Sequence, residues 1–309
     1  MNNLVKKYLL HLQYERGLSS NTINSYSLDL NKYVSYLKEK FSIIEPNEIY
    51  MKHIKSFTND ELQYIVNNKS KKSEGYQYSS TTISRYFSSI RGFHSFLLSE
   101  GMCKNDPSIY LDKPKVNKKI PNYLEFNDIK KILNSVDLES KFGLRDNAIL
   151  LVLYSCGLRA TELLELKLIN LMFDDEFIRL IGKGKKERFV PISIEAINAV
   201  NKYLEYLRPN LSRRNESLGF LFLSNRGKKL SRMSLWKIVR KYSKRACINT
   251  HVSPHTFRHS FASHLVHSGA NLRVVQEMLG HSDISSTQIY THLNKTELKK
   301  VYDKFHPVL

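Results

Sequence analysis

Cysteine is scarce in this chain of 309 residues, and long apolar runs are missing. The three cysteines, Cys103, Cys156 and Cys247, are widely spaced and form no C-x-x-C pair, which argues against a disulfide framework and a thiolate zinc site. The longest apolar run, Ala148 to Tyr154, is much shorter than the roughly 18 residues that a membrane span needs. The N-terminus interrupts its apolar residues with charges, unlike a signal peptide. We therefore expect a cytoplasmic, globular protein.

Acidic residues are also few relative to basic ones. The chain has 48 Lys and Arg against 29 Asp and Glu, a net charge of +19. Such an excess favours polyanions such as nucleic acid, although a solvated basic surface would give the same count. Residues 1–113 carry 15 basic and 11 acidic side chains, a net of +4, whereas residues 114–309 carry 33 and 18, a net of +15. The strongest polyanion contact is therefore expected in the second part.

A basic, proline-containing segment, residues 112–122, divides the chain and is predicted to be a linker. Before it, residues 1–111 show helical periodicity, with one helix capped by Ser20 and another starting near Ser80. This part is predicted to be a small all-helical domain. Residues 123–309 are predicted to be a mixed α/β domain that is mostly helical.

Helical patterns in the second part include 144–157, 194–207, 231–246, 254–268 and 271–279. Between Phe177 and Ile192, two alternating runs flank a glycine-containing turn, which predicts an antiparallel hairpin. The fold class is therefore mainly α, with one small antiparallel sheet.

Ser253 and Pro254 predict a helix start, and His255 and Arg258 follow on one face of its first turns. Two cationic groups near the positive end of a helix suit phosphate binding, although an ordinary polar face would have the same H-x-x-R pattern. The apolar Phe257, Phe261 and Leu265 are expected to face the core.

Upstream, Arg159 follows the helix-stopping Gly157, and Glu162 lies three residues further on, placed to orient the guanidinium. A surface ion pair would have the same spacing. Lys183 lies between two glycines at the predicted hairpin tip, where basic residues are common.

Towards the C-terminus, His281 follows a glycine at a chain reversal, and Tyr290 follows Ile289. By itself Tyr290 is more typical of a half-buried aromatic residue than of a nucleophile. His255, His259 and His281 could also be zinc ligands, but no nearby cysteine or carboxylate completes a recognisable set. We expect neither a metal nor another cofactor.

Together these groups suit attack of a phenol on a phosphodiester. Two guanidiniums neutralise the non-bridging oxygens, an imidazole adds a donor, and a lysine protonates the departing sugar oxygen. A tyrosyl-phosphate conserves the bond energy, so rejoining needs neither ATP nor metal.

The motifs G-L-R-x-x-E, G-K-G-x-x-x-R, H-x-x-R-H-x-F-A-x-H-L, L-G-H-S and Y-T-H, in this order, resemble the catalytic domain of the tyrosine recombinase/integrase family. The resemblance covers residues 122–309 strongly. Residues 1–111 resemble the family's core-binding domain less closely. The short N-terminus and the ending Lys299-Lys-Val-Tyr-Asp-Lys-Phe-His-Pro307 are most similar to the Xer group.

The resemblance implies roles for the candidate residues. Arg159 and Arg258 would hold the scissile phosphate with help from His255 and His281. Lys183 would be the general acid, and Tyr290 the nucleophile that forms a 3′-phosphotyrosyl link.

The resemblance further implies a C-shaped clamp around duplex DNA, a tetramer on two sites, a Holliday junction, and a C-terminal exchange helix at about 296–305. It also implies chromosome dimer resolution, with a second recombinase or a DNA translocase as possible partners. A mobile-element integrase with the same chemistry, a type IB topoisomerase, a non-catalytic DNA-binding protein and a metal-dependent nuclease are the alternatives. Candidate DNA contacts lie on two predicted helices: Arg85 and Arg91 on the first, and Arg232, Lys237, Arg240, Lys241, Lys244 and Arg245 on the second.

Overall fold

The structure, a computed structural model, describes residues 1–63, 78–111, 123–181, 187–212, 217–280 and 295–307. The chain divides into two units, Met1–Lys119 and Ile120–Leu309. The predicted linker lies outside the described residues, as do Lys183, His281 and Tyr290. Within the described ranges, no helix has both the length and the apolar character needed to cross a bilayer.

Helices make up the described part of the N-terminal unit, as the sequence predicted. They are α1 (Asn2–Tyr14), α2 (Ser20–Phe41), α3 (Met51–Phe57) and α4 (Ser80–Ser99), with a 3-10 turn at Pro46–Glu48 and a π-helical turn at Thr58–Gln63.

Serine caps set the starts of α2 and α4. The hydroxyl of Ser19 accepts a hydrogen bond from the backbone N–H of Thr22, and that of Ser79 accepts one from Thr82. The prediction of Ser20 as the α2 cap was wrong by one residue, because Ser20 already lies within the helix and Ser19 satisfies the free N–H group.

The apolar stripe of α4 supplies much of the N-terminal core. Its members, Ile83, Phe87, Ile90, Phe93 and Leu97, are all buried. They pack in one cluster with the buried stripe of α2, which is the arrangement expected of amphipathic helices.

Helices also dominate the C-terminal unit. They are α5 (Phe126–Asn134), α6 (Gly143–Cys156), α7 (Ala160–Glu165), α8 (Ile194–Lys202), α9 (Arg208–Ser212), α10 (Arg232–Arg245), α11 (Pro254–His267), α12 (Leu272–Leu279) and α13 (Lys295–Phe305). A 3-10 turn at Leu168–Asn170 precedes the sheet, and a π-helical turn at Tyr203–Leu207 joins α8 to α9.

The sheet has three antiparallel strands among the described residues, β1 (Leu171–Met172), β2 (Phe177–Ile181) and β3 (Glu187–Pro191). The predicted hairpin is confirmed by β2 and β3, whereas β1 was not predicted because two residues give no periodic signal.

Both faces of the hairpin are covered. Ile178 and Val190 are directly opposite each other and belong to the main core of the unit, whereas Phe177 belongs to a second cluster. The second cluster includes apolar residues of α11, α12 and α13. The sheet therefore holds α12 close to the start of β3, and this places the residues described next.

Candidate active site

A glycine after α6 turns the chain towards Arg159. Gly157 has a left-handed backbone (φ +55°), and a Cβ there would lie 2.5 Å from the ring of Phe261. Only glycine fits both conditions. The turn places Arg159 at the N-cap of α7.

Both carboxylate oxygens of Glu162 accept hydrogen bonds from Arg159. The backbone N–H of Arg159 donates to Oε2 at 2.7 Å, and the guanidinium Nη1 donates to Oε1 at 2.8 Å. The ion pair expected from the three-residue spacing is therefore present, and it fixes the direction of the guanidinium.

Arg258 approaches the same carboxylate from α11. Ser253 caps this helix by accepting from the N–H of Thr256, as predicted. Phe257 and Phe261 are fully buried on the core side, also as predicted. The guanidinium of Arg258 is turned inward, and its Nη1 lies 3.8 Å from Oε2 of Glu162.

Arg188 is a third guanidinium at this carboxylate, and it was missed as a site residue. Its Nη2 lies 2.8 Å from Oε1 of Glu162. In the hairpin register Arg188 is opposite Leu180, on the face that carries Ile178 and Val190. Two signals were available: Arg188 is the final residue of the G-K-G-x-x-x-R motif, and it is a charged residue in step with buried apolar positions, because strand side chains alternate between faces.

At the C-terminal end of α12, three consecutive backbone carbonyls accept hydrogen bonds from the three arginines. Arg188 Nε donates to Met278 O at 3.3 Å, Arg258 Nη2 to Leu279 O at 2.6 Å, and Arg159 Nη2 to Gly280 O at 2.8 Å. The last carbonyls of a helix lack partners within the helix and carry its negative dipole end, so they suit cationic donors. Arg258 Nη1 also donates to Gly157 O at 2.8 Å.

Charges at this cluster do not balance. Glu162 is the one carboxylate paired with Arg159, Arg188 and Arg258 among the described residues. Burial opposes the ionisation of Glu162, but Arg188 and the hydrogen bonds from Arg159 outweigh it, so the pKa of Glu162 lies below its ordinary value. The three arginines and the ionised glutamate leave an excess of two positive charges.

The burial and the positive surroundings of Arg258 affect its pKa. Burial, followed by repulsion from Arg159, lowers the pKa of Arg258 to about 10. Arg258 therefore remains protonated at neutral pH, in surroundings that favour the arrival of an anion. Arg159 is the more open of the two, with 38% of its side chain exposed.

His255 is exposed at the start of α11, one turn before Arg258, where the helix dipole favours anions. His259, which was weighed as a zinc ligand, is partly buried and lies near the ring of Tyr123. Within the described ranges, no three His, Cys, Asp or Glu side chains gather as a metal site would require.

The predicted DNA contacts on α10 are exposed, and Arg240 stacks on Trp236 with its guanidinium carbon 5.0 Å from the ring centre. On α4, Arg85 forms a two-point ion pair with Asp29, with bonds of 2.8 and 2.9 Å. Arg91 is partly buried. The role of these residues in DNA binding stays a prediction.

Comparisons with known proteins identify the family of the chain. Residues 122–297 match the phage integrase family, and residues 5–101 match the N-terminal SAM-like domain of phage integrases. The chain is 42% identical over 307 residues to tyrosine recombinase XerD of Listeria monocytogenes serotype 4b, with 99% of each chain covered. It is also 42% identical over 309 residues to tyrosine recombinase XerD of Staphylococcus epidermidis, again with 99% of each covered.

A solved structure of the XerH site-specific recombinase bound to difH substrate resembles the chain in fold. The TM-score is 0.65 at 22% identity, and the match covers 96% of this chain and 83% of the other. The matched domains and the full-length identity to tyrosine recombinases lead to one assignment: the chain belongs to the phage integrase family of tyrosine recombinases, in its Xer group.

Proposed function

We propose that the protein is a site-specific DNA recombinase of the Xer type, which cuts and rejoins duplex DNA through a covalent 3′-phosphotyrosine. The observation that carries this proposal is the arrangement of Arg159, Arg188 and Arg258 around one carboxylate, with two positive charges uncompensated. A phosphodiester gains negative charge as it becomes five-coordinate, and an excess of fixed positive charge stabilises that state more than the ground state.

Cleavage starts when Tyr290 releases its phenolic proton to solvent as its oxygen attacks the scissile phosphorus. The bond from phosphorus to the 5′ oxygen breaks, and Lys183 donates a proton to that oxygen. Arg159 and Arg258 bind the non-bridging oxygens, with His255 and His281 as additional donors. These roles rest on the order and spacing of the motifs, together with the observed proximity of Arg159 and Arg258 at Glu162.

Rejoining reverses these steps. A 5′ hydroxyl from the partner duplex attacks the phosphotyrosine and releases Tyr290, so the phosphoester energy is kept and neither ATP nor metal is consumed. Two rounds of paired strand exchange, with a Holliday junction between them, complete recombination between two sites.

DNA binding and assembly follow from the same proposal. The exposed basic residues of α10 supply phosphate contacts, and base contacts would come from the residues that enter the grooves. Four protomers act on two sites, with α13 exchanged between neighbours. The full-length similarity to XerD proteins favours a role in resolving chromosome dimers, with a second recombinase or a DNA translocase as partner.

The test is covalent capture on a nicked suicide duplex that carries candidate genomic sites, resolved on a denaturing gel. Wild-type protein should form a protein–DNA adduct in excess chelator, and Tyr290→Phe should form none while its DNA affinity stays nearly unchanged. Tyr206→Phe, at a tyrosine that is 63% exposed, is the matched control and should form adduct normally. Adduct from Tyr290→Phe would contradict the nucleophile assignment.

The product distinguishes the related activities. Paired sites should give recombinants and junctions, whereas a topoisomerase would give only relaxed circles. Cleavage that chelator abolishes would indicate a metal-dependent nuclease, and binding without adduct a non-catalytic protein.

A further inference from the structure

Arg188 connects three parts of the C-terminal unit at one point. Its backbone lies in β3, its Nη2 contacts Glu162 of α7, and its Nε donates to Met278 O at the end of α12. Glu162 in turn orients Arg159, and α12 ends in carbonyls that receive Arg159 and Arg258. Each proposed phosphate-binding arginine is therefore one contact away from a group that Arg188 holds.

We infer that Arg188 is a positioning residue: by bridging Glu162 and the end of α12, it sets the direction in which Arg159 and Arg258 present their guanidiniums to the scissile phosphate. The inference rests on the proposed function, because it concerns the same site.

The shape of the main chain around Arg188 supports this role. Gly280 has a left-handed backbone (φ +64°), and a Cβ there would lie 3.0 Å from the guanidinium atoms of Arg188. The guanidinium therefore fills the space left by the missing side chain, close against the turn that ends α12. A lysine in this place would offer one ammonium group and lack the planar fork that reaches two acceptors at once.

Electrostatics give Arg188 a second means of acting through Glu162. Among the groups that favour ionisation of this carboxyl, Arg188 contributes most to lowering its pKa. Arg159 at the start of α7 and Arg258 on α11 are the other charged groups that face Glu162. Since Arg188 keeps Glu162 negative, it also keeps the acceptor that orients Arg159.

Arg179 offers a matched control on the same hairpin. It is an arginine of β2 paired with Phe189, so it lies on the opposite face of the sheet from Arg188. Its ion-pair partner is Glu187, at 3.9 Å, rather than Glu162. If the rate falls merely because the hairpin loses a positive charge, removing either arginine should slow the reaction. If Arg188 positions the phosphate-binding arginines, only its removal should do so.

The experiment is a double-mutant cycle on the rate of adduct formation, with protein in excess over the nicked suicide duplex. Arg188→Gln should slow adduct formation about 10- to 100-fold, the usual cost of losing a group that orients a functional residue, and DNA affinity should change less than about 3-fold. In the Glu162→Gln background the same substitution should cost clearly less than in the wild type, because only the hydrogen bond to Met278 O is then left to lose. Arg179→Gln should change the rate less than about 2-fold.

A substrate with a methylphosphonate at the scissile position tests whether the slower cleavage by Arg188→Gln arises at the non-bridging oxygens. This group lacks the charge of one non-bridging oxygen, so it depends less on the two arginines, and the ratio of wild-type to Arg188→Gln cleavage rates should fall to about 3 or below. Arg188→Lys keeps a positive charge and should be intermediate on the diester. Should Arg188→Gln melt far below wild type, the lysine variant takes its place in the cycle.

Several outcomes would overturn the inference. One is full additivity of Arg188→Gln and Glu162→Gln, which would indicate that Arg188 acts independently of Glu162. Another is a defect of equal size on diester and methylphosphonate, and a third is an unchanged rate in Arg188→Gln. A wild-type protein that forms no adduct would overturn the proposed function itself, and the inference with it.

Discussion

Asp29 in the N-terminal unit and Glu162 in the C-terminal unit are both largely buried carboxylates paired with arginine, and they differ in the number of guanidiniums. Asp29 is 1% exposed and, among the described residues, its arginine partner is Arg85. In the C-terminal unit, Glu162 pairs with Arg159, Arg188 and Arg258. The same chemical pairing is therefore balanced at Asp29, as it also is between the buried Arg145 and Asp146, and it carries excess positive charge at Glu162.

The pKa values of the two carboxyls move in opposite directions. Burial raises the pKa of Asp29 even though Arg85 binds both of its oxygens. Burial also acts on Glu162, but the surrounding arginines outweigh it and lower its pKa. One guanidinium thus fails to offset the desolvation of a carboxylate, whereas several more than offset it and leave charge available for an anion. A balanced pair has a structural role, and a cluster with excess charge is suited to a ligand.

The largest expected effect contrasts one arginine from each unit. Arg159→Ala should slow adduct formation about 10³-fold while DNA affinity changes only a few-fold, because its contribution is concentrated in the transition state. Arg85→Ala, measured with DNA-saturated protein, should change the rate less than about 2-fold. Rapid-quench assays on a suicide duplex measure both, and equal losses in the two variants would remove the distinction between the units.

A pH experiment tests whether His94, a buried histidine of the N-terminal unit, is uncharged at neutral pH. His94 is buried, its Nε2 lies 3.0 Å from the hydroxyl of Tyr33, and burial lowers its pKa to about 4, against partial compensation by Asp106. Its folded-state pKa lies below the unfolded value near 6.5, so its contribution to stability is complete above pH 6.5 and is lost as the pH falls towards 4. The loss should be at most about 3 kcal/mol in the free energy of unfolding.

Urea unfolding at several pH values measures this dependence. His94→Gln should weaken the pH dependence of the free energy of unfolding measured by circular dichroism, a signal that reports both units. Fluorescence of Trp236, the one tryptophan of the chain, should retain its pH dependence because this residue lies in the C-terminal unit. An unchanged pH dependence of the dichroism in His94→Gln would show that His94 is not the titrating group.

Breaking the balanced pair should affect stability and leave chemistry alone. Asp29→Asn should lower the free energy of unfolding by at most about 1.5 kcal/mol, because it weakens two hydrogen bonds from Arg85 but also relieves the desolvation that raises the pKa of Asp29. Its adduct formation at saturating protein should stay within about 2-fold of wild type. Thermal denaturation and the suicide-duplex rate give the two readings, and a rate loss without destabilisation would reverse the interpretation.

The smallest expected effect is stabilisation by a simple anion. Inorganic phosphate should raise the Tm of wild type, equivalent to about 1 kcal/mol at a few times its Kd, because it neutralises the excess charge at Glu162. Arg258→Gln should lose most of this increase, whereas Asp29→Asn should keep it. Chloride at matched ionic strength is the control, and an equal increase in Tm with chloride would contradict specific binding.

The sequence predicted the helices and the hairpin well, because their signals are local. Serine caps, the glycine after α6 and alternating residues in β2 and β3 act within a few positions of the chain. The exact cap of α2 was missed because Ser19 and Ser20 are adjacent and equally suitable. The strand β1 is too short to show a period.

A contact at the site could be predicted where one motif contained both partners. Arg159 and Glu162 are three residues apart, so their contact was foreseeable from helix geometry. Arg188 and Glu162 meet through tertiary structure, and the receiving groups at the end of α12 are backbone carbonyls, which every residue has. A sequence pattern identifies side chains, so it cannot predict which backbone carbonyls accept these hydrogen bonds.

The turn at the end of α12 has a consequence for how the protein tolerates change. Because main-chain oxygens of three successive residues anchor the arginines, the side chains of Met278 and Leu279 are free to vary as long as they still pack, and the anchoring persists. Gly280 has no such freedom, since any larger residue would meet both a strained backbone and the guanidinium of Arg188. In a mutational library, neutral hydrophobic exchanges should therefore accumulate immediately before a position where glycine is strongly preferred.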